Sequence, residues 1–160
     1  MDKKEHPKRM DYLKKHQLDD LNIAEARGWV IDEFHDIEFR IDSIIVNFFK
    51  PVDANRFNRI VLNSSIIDVG SKLKILSNIG TIDKQMVEKI RKIAAIRNGF
   101  AHAPINEHVI INVDEIKNST TLVVETRIEV MNSQGEIKSK IALDYLREFS
   151  TLCDDVRKTI

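Results

Sequence analysis

Ile93-Ala94-Ala95-Ile96-Arg97-Asn98-Gly99-Phe100-Ala101-His102 closes a stretch patterned as a helix from about Asp83. At about 100° per residue, Met86, Ile90, Ile93, Ile96 and Phe100 fall on one arc, the buried stripe of an amphipathic helix. Arg97 falls inside that arc, between Ile90 and Ile93 in angle. His102, five residues further on, points to the far side of a regular helix. Burying an unpaired charge costs several kcal/mol. Arg97 therefore demands compensation from a carboxylate, a phosphate or a partner chain, and Asp36 and Asp42 are the intramolecular candidates.

The chain on either side supports a helical bundle. Pro104 ends this helix, with loosening expected from Gly99, and Thr81 or Asp83 caps its start. Before it, Ser65–Gly80 reads as a helix with Ile66, Val69, Leu73, Leu76 and Ile79 on one face and Gly80 as a left-handed stop. Gly70 inside that helix costs about 1 kcal/mol relative to alanine unless a close helix contact needs it. A longer helix starts at Asp19 or Asp20, with Asp20 as N-cap, and runs to Pro51. Its stripe is Ile23, Ala26, Val30, Phe34, Ile37, Ile41, Ile44, Ile45 and Phe48. Residues 51–63 are a linker with a short helix over Ala54–Leu62. From His108 the period changes from 3.6 to 2. Val109–Val113 and Leu122–Met131 read as strands joined by a turn at Asn118-Ser119. Asn132-Ser133-Gln134-Gly135 leads into a third strand near Ile137. The chain returns to helix with Ile141, Leu143, Leu146, Phe149, Leu152, Val156 and Ile160 on one face.

Composition sets the bounds. A chain of 160 residues, 42% hydrophobic and 31% charged, is read as one globular domain over 1–160. Twenty-five basic residues balance 25 acidic ones, which argues against a protein that coats nucleic acid non-specifically. The charge is uneven. Residues 1–18, a basic N-terminal arm, hold six basic and three acidic side chains; residues 83–102 hold five and two; residues 107–160 hold seven and ten. Solvated helix faces account for most of this. The single cysteine, Cys153, excludes an internal disulfide and suits helix packing in a reducing cytoplasm. No apolar run reaches the length of a membrane span, and the charged N-terminus has no export signal. His35 lacks a second His or Cys at metal spacing, so neither metal nor cofactor is expected. No recognition helix with clustered base-reading side chains is present, against DNA binding by a helix-turn-helix.

Arg97-Asn98-Gly99-Phe100-Ala101-His102 fits an arginine, four residues and a histidine, with a polar residue after the arginine. This pattern resembles the signature of HEPN domains, small helical dimers that include metal-independent endoribonucleases. Ser71-Lys72-Leu73-Lys74-Ile75-Leu76, Gly80, Asp83, Ile93 and Ile96-Arg97-Asn98 with Phe100-Ala101-His102 look most like the mannitol operon repressor branch. The likeness spans about residues 64–104; residues 106–140 match nothing in it. It implies a mainly α HEPN-like four-helix bundle, with that small antiparallel β-meander inserted before the last helix. It also implies a cytoplasmic homodimer acting on RNA in a toxin, defence or RNA-processing role, with an antitoxin or regulatory protein as a further partner. Arg97 and His102 would be catalytic where two motif helices meet, and Asn98 would orient the phosphate or His102. Arg91 and Lys92 would add phosphate contacts. The chemistry is coherent: metal-free RNA cleavage needs a base, an acid and positive charge on the phosphorane. The competing expectation is a catalytically silent regulatory or protein-binding module, with Arg97 paired structurally and His102 only capping its helix.

Overall fold

The structure, a computed structural model, describes residues 22–114, 119–131 and 134–160. The expected basic arm, the Asp19–Asp20 start, Asn118 of the first turn and Asn132-Ser133 of the second loop lie outside the described residues. Among the described residues, five helices and three strands follow in order. They are α1 (Ile23–Phe49), α2 (Ala54–Ile60), α3 (Val69–Ile79), α4 (Lys84–His102), β1 (Ile105–Asp114), β2 (Ser119–Met131), β3 (Ile137–Ile141) and α5 (Ala142–Thr159). The chain is thus mainly helical, with an antiparallel three-stranded sheet of order β1-β2-β3 placed before the last helix.

Local chemistry fixes the helix ends. Asn22, not Asp20, caps α1: its side chain accepts from the backbone N–H of Ala24 at 3.0 Å and of Glu25 at 3.2 Å. Asp53 caps α2 through Arg56. Asp68 caps α3 by accepting from the Ser71 N–H at 2.7 Å, so the helix starts at Val69 rather than Ser65. The preceding residues form a turn in which Asn63 accepts from the Ser65 N–H, and Ile66 is left exposed instead of joining the core. Gly70 consequently sits in the first turn of α3. A Cβ there would meet only the Asp68 carboxylate, so no close helix contact explains it. Gly80 ends α3 at φ 67°, as its sequence position suggests. Asp83 then starts α4 by accepting from the Met86 N–H.

One apolar core lies among α1, α3, α4 and α5. Ala26, Val30, Phe34, Ile37, Ile41 and Ile45 of α1 meet Leu73 and Leu76 of α3. Met86, Ile90, Ile93, Ile96 and Phe100 of α4 and Leu146, Phe149, Cys153 and Val156 of α5 complete it. Burying each large aliphatic or aromatic side chain contributes about 1.5–3 kcal/mol. Phe48, at the far end of the α1 stripe, stays half exposed.

The charged side chains of Lys72 and Glu38 are buried inside this bundle. The fully buried Lys72 ammonium stands 3.0 Å from a Glu38 oxygen and 2.8 Å from an Asp42 oxygen, and Ser64 donates to Glu38 at 2.7 Å. Further ties hold α5 to α1, where Arg157 reaches Glu33 at 2.7 Å and also pairs with Asp36.

The sheet is rooted on the helices at Ile105 and Ile128, which face each other across β1 and β2. Ile128 is fully buried and Ile105 half-buried. Alternation puts Ile128 and Val130 of β2 on the helix-facing side with their β3 partners Lys140 and Lys138. Gly99 makes this docking close: a Cβ there would stand 2.9 Å from Val130 Cγ1 and 3.3 Å from Tyr145 Cε1. The expected loosening of α4 at Gly99 does not occur. The helix stays regular to His102 because Gly99 serves a close approach, and Ala103 still donates to the Gly99 carbonyl at 2.8 Å. Among the described residues, no helix is long and apolar enough to cross a membrane.

Candidate functional site

The regular helix separates the two residues of the Arg97/His102 motif. Arg97 turns towards α1. Its guanidinium carbon lies 4.5 Å from the centroid of the Phe34 ring, a cation–π contact. Glu38, one turn along α1 from Phe34, feels its charge. Burial raises the Glu38 carboxyl, but Ser64, Lys72 and Arg97 together outweigh this and hold it below its ordinary value. The suggested partners of Arg97 are engaged elsewhere, Asp36 with Arg40 and Arg157 and Asp42 with Lys72. The physical answer to the charge on the apolar arc is therefore an aromatic face plus the field of Glu38. Among the described residues, Arg97 Nε is buried without a hydrogen-bond partner.

His102 and Asn98, one turn apart, face the other way. Both are exposed and line a cleft of about 790 Å³ between α4, the sheet and the start of α5. The α4 wall is Ala95, Asn98, Gly99 and His102. The opposite wall is Val130 and Met131 of β2 with Ile137, Lys138 and Lys140 of β3. Lys138 and Lys140 are exposed, and Lys140 Nζ lies 4.3 Å from the centroid of the Tyr145 ring. Tyr145 is nearly buried; burial and then the nearby Glu148 push its phenol up. It therefore remains a neutral hydrogen-bond donor. Glu129 also lines the cleft.

Arg91 and Lys92 are outside this cleft. Arg91 pairs with Glu88 on its own helix, and Lys92 pairs with Glu148 of α5. Both pairs are exposed, which makes them solvated surface links. The structure thus brings together Asn98 and His102, leaves Arg97 on the α1 side, and adds Lys138, Lys140 and Tyr145. The sequence carried a signal for the lysines: Ile137-Lys138-Ser139-Lys140-Ile141 alternates with period 2, so both lysines leave one face of a strand.

An imidazole can give or take a proton near neutral pH, and two ammonium groups opposite it can hold a phosphate as point charges. Among the described residues, no group of His, Cys, Asp or Glu is gathered as a metal site. Comparison with known proteins gives no counterpart: no family model, no curated protein and no solved structure matches the chain.

Proposed function

We propose that this protein is an RNA-binding domain of the HEPN type, and that the cleft beside α4 takes a phosphodiester. The observation that carries the reading is the placement of His102 and Asn98 opposite Lys138 and Lys140. Lysine charge on one wall suits a phosphate, Asn98 can hydrogen-bond a ribose or base, and His102 is in place for proton transfer. Cleavage would follow the metal-free route, in which His102 takes the 2′-hydroxyl proton or protonates the leaving oxygen. The second acid–base group would come from a second copy of the chain, as the HEPN resemblance implies.

A silent, regulatory form of the same domain is the second reading. It is favoured by the side of α4 on which Arg97 lies, against Phe34 and away from His102. An arginine committed to the bundle contributes stability rather than charge on a phosphorane.

The test is incubation of the pure protein with mixed RNA in EDTA, with the ends of any fragments analysed. The catalytic form predicts 2′,3′-cyclic phosphate ends that disappear in His102→Ala. The silent form predicts RNA retention without fragments, weakened in Lys138→Ala/Lys140→Ala. A protein that neither retains nor cuts RNA overturns the proposal.

A further inference from the structure

The corner between α1 and α2 leaves apolar side chains in water. Phe48 and Phe49, which end α1, are 49% and 54% exposed, Val52 in the turn is wholly exposed, and Ile60 at the end of α2 is half exposed. Helix α2 has no buried residue, and its Phe57 leans on the core from one side. Arg56, Arg59 and Ile60 are all exposed and, at three and four residues apart, share another side of it. Residues 48–61 hold Lys50, Arg56 and Arg59 against one acid, Asp53, whose carboxylate caps α2 by accepting from the Arg56 N–H at 2.9 Å. Among the described residues these three cations form no ion pair, whereas Lys89, Arg91, Lys92 and Arg147 each do. Lys50 also takes the left-handed conformation, at φ 46°, where glycine is the easy occupant. A lysine there keeps a charge beside the two phenylalanines at a cost in backbone strain.

We propose that this corner docks on the surface of an anionic phospholipid bilayer, with Phe48, Phe49 and Val52 entering the headgroup layer and Lys50, Arg56 and Arg59 against the lipid phosphates and carboxylates. Cations beside exposed apolar and aromatic side chains are the chemistry of segments that lie in a membrane interface. The contact is peripheral, since no described helix is long and apolar enough to cross a bilayer. Charge selects an anionic occupant: three unpaired cations stand against one acid already engaged as a cap. Shape selects a bilayer. A peptide helix seats in a groove, whereas a corner that holds Val52 wholly in water suits a flat surface that it can enter. Side-chain type separates lipid from RNA. Single-stranded nucleic acid is held by stacking on aromatic faces. Here Val52 and Ile60 are aliphatic, and the Phe48 and Phe49 rings pack edge to face on each other, with centroids 5.1 Å apart. The docking does not depend on the RNA reading of the cleft, which draws on α4, the sheet and α5.

Co-sedimentation of the full chain with vesicles tests the docking. The expected result is binding to vesicles of phosphatidylcholine mixed with phosphatidylserine, none to phosphatidylcholine alone, and release by high salt. One cation near an anionic surface contributes about fivefold in affinity. Arg59→Glu removes one and adds its opposite, so it should weaken binding at least tenfold. Val52→Asp should weaken it too, and because Val52 is wholly exposed the far-UV circular dichroism spectrum should be unchanged. Hydrogen exchange of the unaltered chain gives a reading free of any folding defect: the mixed vesicles should slow exchange in the peptides covering 48–61. Equal binding to both kinds of vesicle, binding to neither, or binding that persists in folded Arg59→Glu and Val52→Asp overturns the proposal. So does binding lost in Lys138→Ala/Lys140→Ala instead, or protection of 48–61 by single-stranded RNA or an acidic protein but not by vesicles.

Discussion

Lys72 has no access to solvent, and two carboxylates share its charge. The two are held differently. Burial raises the Glu38 carboxyl, but hydrogen bonds from Ser64 and Lys72 and the charges of Lys72 and Arg97 together outweigh it and keep the carboxyl low. Asp42 suffers burial and the nearby Glu38 charge, which outweigh Lys72 and push its carboxyl up. Breaking a buried pair from one side costs about 3–5 kcal/mol. Glu38→Gln should therefore destabilise the fold by roughly 3 kcal/mol, while Asp42→Asn should cost less, because burial and the Glu38 charge already disfavour the ionised form of Asp42 in its site. Urea unfolding at neutral pH checks the difference; equal losses would contradict it. The pH dependence follows with opposite signs. The lowered Glu38 carboxyl stabilises the fold above its ordinary value of 4.5, and this is lost as pH falls through the folded-state value. The raised Asp42 carboxyl works against folding while it is ionised, and that penalty is relieved as it takes up its proton on acidification. Glu38→Gln should therefore flatten the acid limb of the stability curve, and Asp42→Asn should steepen it.

Two helical glycines separate backbone propensity from packing at the level of the element. Gly28 lies on the exposed side of α1, and a Cβ there would meet nothing within 4 Å. Gly28→Ala should stabilise by about 0.5–1 kcal/mol through helix propensity and a less flexible unfolded chain. Gly99 would gain the same propensity in α4, but its Cβ would press on Val130 and Tyr145. Overpacking costs about 1–3 kcal/mol, so Gly99→Ala should be neutral to destabilising by thermal melting. A gain equal to that of Gly28→Ala would show that the sheet is not held against α4. The same contrast explains what the sequence could reveal. Met86, Ile90, Ile93, Ile96 and Phe100 announce α4 through spacing alone, and all five are buried. The alternation of Leu122 to Val130 announces β2. What the local pattern could not reveal was which neighbour each face meets. Gly99 reads as a helix weakness until β2 is seen against it. Lys72 and Glu38 are far apart in sequence, and only the crossing of α3 over α1 brings them together. Arg97 was visible as a cost, but its Phe34 contact is fixed by the packing of α4 on α1. The cleft was half legible, Asn98 and His102 from helix spacing, Lys138 and Lys140 only once β3 lies opposite them.

Net neutrality shapes what the whole molecule can bind. Equal numbers of acidic and basic residues give no broad field to attract a polyanion, so any RNA affinity must come from local charge. Lys89, Arg91 and Lys92 on the motif helix are each paired with an acidic residue. Lys138 and Lys140 are the cations that line the cleft beside His102. Binding through them predicts a shallow salt dependence. Each single-strand phosphate neutralised changes the slope of log affinity against log salt by about −0.7. Two lysines therefore give a slope of about −1.4, far from that of a basic nucleic-acid-coating protein. Fluorescence anisotropy with a short single-stranded RNA at several potassium chloride concentrations measures this directly. Lys140→Ala should lower the steepness by about 0.7, whereas Lys92→Ala should leave it unchanged, because the Lys92 charge is matched by Glu148 outside the cleft. A steep slope that responds equally to both substitutions would mean that RNA contacts the exposed face of α4 rather than the cleft. His102 would then have no phosphate near it.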